Sequence, residues 1–113
     1  MKIVENISLA ELKDMASKMD GNIVKADIDI ARKIVIIDMP MHFEGEQELL
    51  EQGSKQSDLW GINLLPAQFG TEGFIAYESM INLKPRQNNS SMSIELPEVR
   101  EQIRDIIHEV VYE

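Results

Sequence analysis

Apolar and polar positions alternate strictly from Asn22 to Ile30. Val24, Ala26, Ile28 and Ile30 share one parity and Lys25, Asp27 and Asp29 the other, which predicts a strand with one wet face. Lys33 to Met39 (KIVIIDM) is β-branched on both parities, as expected of a strand inside a sheet, and the short link between the two suggests a hairpin. Asp58 to Leu65 and Phe74 to Leu83 alternate in the same way and are read as two more strands, the first closed by Pro66. Lys2 to Glu5 has room for an edge strand.

The period changes in three places. Leu9, Leu12, Ala16 and Met19 recur at three and four, and Ser8 with Glu11 has capping-box spacing. A helix is predicted over Leu9 to Met19, with Gly21 just past its end. Glu44 to Gln52 has acids where a helix dipole favours them and Leu49 and Leu50 as anchors, although Gly45 counts against a helix. Pro97 suits a first turn. Val99, Ile103, Ile106, Ile107, Val110 and Val111 then form one apolar stripe against a polar face that carries Arg100, Arg104, Asp105 and His108. The expected architecture is α+β: a single largely antiparallel sheet of about four or five strands, with three helices on one face, the longest at the C-terminus. Residues 1–113 are expected to form a single domain.

Composition narrows the function classes. Twenty acids against eleven bases give a net charge of −9, so phosphate backbones and anionic lipid are repelled, and nucleic acid is not the expected partner. Without cysteine there is no disulfide, thiolate metal site or cysteine nucleophile. No apolar run reaches the length of a membrane span, and a cytoplasmic setting is expected.

The least ordinary surface chemistry follows Phe74 to Leu83. No acid lies between Ser79 and Ile94, where Lys84, Arg86, Gln87, Asn89, Ser90 and Ser91 supply donors ahead of a helix start. Those donors suit a phosphate or carboxylate, and they equally suit an ordinary solvated loop. Asn63 and Asn82 fall inside apolar segments, so their amides must be paired: they brace the structure or line a pocket. Asp38 and His42, with Glu44, Asp27 and Asp29 nearby, are oxygen and imidazole ligands of the kind that bind a divalent metal, but they match no established spacing. His42 follows a strand end and is the better general-base candidate. His108, three residues after Asp105, reads as a surface residue. Trp60, the single tryptophan, belongs in the core with its indole N–H on an acceptor. Seven methionines suggest either core filling or a soft, adaptable surface.

The motifs Asp58-Leu59-Trp60-Gly61-Ile62-Asn63-Leu64, Ser79-Met80-Ile81-Asn82 followed by Pro85, Gln87 and Asn89, and Pro97-Glu98-Val99-Arg100 resemble a small uncharacterised family of bacterial and archaeal proteins, a domain of unknown function. The resemblance spans the chain. It implies a compact single domain and brings no catalytic residues or cofactor. The reading carried forward is a non-enzymatic binding or interaction domain that self-associates or docks a partner protein. Its rival is a small-molecule-phosphate or RNA binding protein or enzyme that uses loop 84–91 with His42 and Asp38.

Overall fold

A computed structural model describes residues 1–113. The fold is α+β, with seven strands and three α-helices. Five strands form one antiparallel sheet: β1 (Lys2–Val4), β3 (Val24–Asp29), β4 (Ile34–Ile37), β5 (Leu59–Leu64) and β6 (Ile75–Ala76), in the order β1-β4-β3-β5-β6. The remaining two, β2 (Ile7–Ser8) and β7 (Val111–Tyr112), pair in parallel and tie the start of the chain to its end.

The first helix, α1 (Leu9–Ser17), begins as the sequence predicts: Ser8 Oγ accepts from the Glu11 N–H at 3.1 Å. It stops two residues early, and Gly21, with φ of +79°, serves a separate 3-10 turn at Asp20–Asn22. The β3–β4 hairpin is capped by Asp29, whose Oδ1 accepts from Ala31 N–H and Arg32 N–H at 3.0 and 2.9 Å. The last helix, α3 (Pro97–Val110), buries the predicted stripe.

One sheet face carries the main core. Ala26 and Ile28 of β3, Val35 and Ile37 of β4, and Trp60 and Ile62 of β5 join residues of α1 and α3 in a cluster of 20 buried residues. The helices do not all lie there. The second helix, α2 (His42–Glu51), covers the opposite face over a smaller cluster of Ile36, Met39, Leu49 and Leu59. The expected wet face of β3 is therefore an inner layer, and Asp27 and Asp29 are both fully buried. Alternation correctly separated the two faces, but it could not show that α2 lies over the polar one.

Phe74 to Leu83 also departs from the expected strand. Pairing covers only Ile75–Ala76 against β5, after which a 3-10 turn forms at Met80–Asn82, with Ser79 Oγ accepting from Ile81 N–H. The physical reason lies in Asn82. Its Oδ1 accepts from Gly61 N–H at 2.8 Å and its Nδ2 donates to Gly61 O at 2.9 Å, so one carboxamide does for β5 what a neighbouring strand residue would do.

Candidate functional site

The polar network of the molecule lies beneath the amino terminus of α2. After β4 the chain turns through Asp38, which adopts a left-handed φ of +68° and donates its N–H to Lys25 O at 3.1 Å. Pro40 then ends the extended run, and α2 begins at His42 directly over β3 and β5. Two glycines make this approach possible. A Cβ on Gly45 would meet the Asp27 carboxyl and approach Met39 Cε to 2.7 Å; a Cβ on Gly61 would lie 2.7 Å from Ser79 Oγ and 3.0 Å from His42 Nδ1.

Into this space projects Asp27, which stands between Ile36 and Gly61 in the sheet register. Its Oδ1 is 2.7 Å from His42 Nδ1. On the far side of the ring, Nε2 is 3.0 Å from Asn63 Oδ1, and Asn63 Nδ2 donates to Glu78 O at 3.3 Å. That last bond fixes the Asn63 amide, so both imidazole nitrogens face oxygen atoms. With the Nε2–H donating to Asn63, Nδ1 is the acceptor that a protonated Asp27 carboxyl meets. Burial pushes the Asp27 carboxyl up to about 6, against the opposing pull of its hydrogen bond to His42. Glu46 of α2 is also raised by burial, opposed by Lys84. One oxygen each of Asp27 and Glu46 is buried without a hydrogen-bond partner. The His42 side chain, 10% exposed, links the network to solvent.

The sequence candidates divide into three groups. Asn63, Asn82 and His42 meet around Gly61. Asn89 is fully buried behind them: Nδ2 donates to the carbonyls of Asn82, Ser91 and Ser93, and Oδ1 accepts from Glu95 N–H. Lys84 is buried too, with its ammonium donating to Gln56 O and lying 5.2 Å from the Trp60 ring centroid. Burial lowers this lysine, with Glu46 and Asp58 opposing. Arg86 and Gln87 lie outside, lining a surface cleft of about 340 Å³, and Gln87 donates to Ser57 O. Asp38 is not hydrogen-bonded to His42, whose Nδ1 is taken by Asp27. No group of three His, Asp or Glu side chains converges closely enough to hold a metal ion. Trp60 departs from expectation, since its buried Nε1–H has no acceptor; the ring lies in the apolar core, where its burial outweighs an unmet donor.

Sequence reasoning missed Glu46 and Ser79 and misplaced Asp27 on a wet face. The available signal was a glycine inside each of two regular elements, Gly45 and Gly61, which marks close approach of a neighbouring group. Chemically, Asp27 and His42 form an orienting carboxylate–imidazole pair, but Nε2 is closed by Asn63 and faces no nucleophile. Around the network the surface is apolar: Met41 and Phe43 flank His42, and Met80, Leu83 and Met92 are exposed on the adjoining segment, with Met80 at 79%. No helix is long and apolar enough to cross a membrane.

Comparison with known proteins returns no match among curated proteins or solved structures. A family model does match, over residues 1–110, and the chain belongs to the family described as "Protein of unknown function (DUF5674)".

Proposed function

We propose that this chain is a small non-enzymatic interaction domain that associates with a second copy of itself through the surface around the α2 amino terminus. The observation that carries this reading is the coincidence of two features. Met80, Leu83 and Met92 are exposed, and they lie in the longest acid-free run of the sequence, Ser79 to Ile94. Two chains of charge −9 repel one another, and that repulsion is weaker over a run that contributes no carboxylate of its own and is bounded by Glu78 and Glu95. A two-fold contact places the same patch on both partners, and exposed methionines adapt readily to such a contact. The Asp27–His42–Asn63 network then acts as a rigid polar floor to an apolar rim. The setting assumed is the cytoplasm, with neither nucleic acid nor membrane as partner.

The rival assignment, an anion-binding loop at Lys84–Ser91, is less favoured because its donors other than Arg86 are engaged within the chain. The Glu95 carboxylate accepts from Ser90 N–H and Ser91 N–H at 2.7 and 3.0 Å, where an incoming anion would bind. Light scattering over a concentration series tests the proposal. The expected mass rises from 12.9 kDa toward twice that value, more readily at high salt, and stays monomeric in Met80→Glu and Leu83→Glu. A monomeric mass for the natural sequence at every concentration would refute it.

A further inference from the structure

On the other face of the sheet from α2, α3 presents two arginines and a histidine in one row. Arg100, Arg104 and His108 are spaced by four, so they stack along one helix face. Like charges at this spacing oppose helix formation, and the chain has twenty acids from which partners could be drawn. Yet its three ion pairs involve other residues. Arg100 is committed: it donates to Ile94 O at 2.6 Å and Ser93 Oγ at 3.0 Å, and its guanidinium lies 4.5 Å from the Tyr77 ring centroid. Arg104 and His108 remain exposed. The helix dipole favours a basic residue in the last turn, but it does not account for a row that also lines a cavity.

That cavity lies between α3 and the segment Phe69 to Tyr77. It comprises two adjoining chambers of about 450 and 340 Å³ that share Thr71, Glu72, Phe74, Arg104 and His108. These volumes are typical of small-molecule sites. The larger chamber is apolar along Phe69, Phe74, Ile107 and Val111, and the two phenylalanines meet edge to face at 5.0 Å and 82°. An apolar wall with an exposed arginine, which also reaches Tyr77, and an exposed histidine at its rim is complementary to a ligand with an apolar body and an anionic end. Glu72 at the same rim opposes a second negative charge.

We propose that this groove binds a small organic monocarboxylate, its carboxylate held by Arg104 and His108 and its apolar or aromatic body against Phe69 and Phe74. Its lining shares no residue with the proposed self-association surface. The arginine is the principal anchor because its fork matches a carboxylate. Glu72 selects against phosphate monoesters, which carry up to two negative charges near neutral pH.

The test is an amide-resolved NMR titration of the full chain with 3-phenylpropionate, 3-phenylpropan-1-ol, phenyl phosphate and inorganic phosphate. The acid is expected to bind saturably, with a dissociation constant on the order of 1 mM, as suits so small a ligand. Shifts are expected at Thr71 to Phe74 and Arg104 to His108. The alcohol and both phosphates are expected to bind at least about tenfold more weakly. Arg104→Gln changes an exposed side chain and is expected to leave the spectrum folded while weakening the acid about tenfold. Glu72→Gln is expected to narrow the gap between phenyl phosphate and the acid. No saturable shift with 3-phenylpropionate, equal binding of the alcohol, or unchanged affinity in a folded Arg104→Gln would each overturn the assignment.

Discussion

Replacing Asp27 by asparagine isolates the energetic consequence of burying the network. The carboxyl is fully buried, and burial raises it from 3.8 to about 6. A folded-state value above the unfolded one means that the folded chain binds the extra proton between those two pH values. Stability from this group is complete below pH 3.8, declines as pH rises, and is gone above about pH 6. The difference of roughly two pH units corresponds to about 3 kcal/mol across that window. Asparagine has nearly the same shape, donates from Nδ2 to His42 Nδ1 in place of the protonated carboxyl, and does not titrate. The expected result is a stability difference, Asp27→Asn minus natural sequence, that increases by about 2 kcal/mol between pH 4 and pH 7, the rest of the change falling below pH 4. The second Nδ2 hydrogen of asparagine has no partner, which offsets the whole difference downward by about 1–3 kcal/mol without altering its pH slope. Urea unfolding followed by fluorescence is a direct assay, because the single tryptophan, Trp60, is buried at 1% exposure. Parallel pH profiles for the two proteins would refute the reasoning, as would a difference that decreases with pH. The latter would show that ionised Asp27 is held more strongly by His42 than burial disfavours it.

Other substitutions test the packing around the site. Gly45→Ala raises helix propensity, yet its methyl group meets the Asp27 carboxyl and Met39; a net loss of about 1–2 kcal/mol is expected in thermal unfolding, and a gain would show that α2 does not approach the sheet so closely. Asn82→Ala leaves Gly61 N–H and C=O without partners and is expected to cost about 3 kcal/mol by urea unfolding; a loss below about 0.5 kcal/mol would mean that water replaces the amide. Arg100→Lys removes the bond to Ser93 Oγ and the stacking on Tyr77, with an expected loss of about 1–2 kcal/mol in the same assay, whereas an unchanged midpoint would show that the guanidinium does not brace the loop to α3.

The elements with strong local signals were legible in the sequence. Ser8 and Glu11 announced α1, the six-residue stripe announced α3, and alternation announced β3 and β5. What stayed hidden depended on distant partners. Asp27 and Lys25 read alike by parity, but only Asp27 lies beneath α2, so burial separated two residues that alternation grouped. Ile75 to Leu83 has strand-like composition, but the amide of Asn82 satisfies Gly61 and releases the segment to turn. Asn63, Asn82 and His42 were each singled out, but for separate reasons. Their meeting at Gly61 follows from the β3–β5 register and the path through Asp38, which are properties of the assembled sheet. Arg104 and His108 looked like an ordinary wet face because the groove opposite them belongs to Phe69 to Tyr77.

The most direct test of the interaction surface is a methionine-methyl NMR spectrum recorded across a dilution series. Met41, Met80 and Met92 lie exposed around His42, Met39 is buried beneath α2, and exposed Met1 lies at the β1 edge. Self-association through the proposed face is expected to move the methyl signals of Met41, Met80 and Met92 progressively with concentration while Met1 and Met39 stay fixed. Signals that do not move at any concentration, or movement confined to Met1, would contradict it.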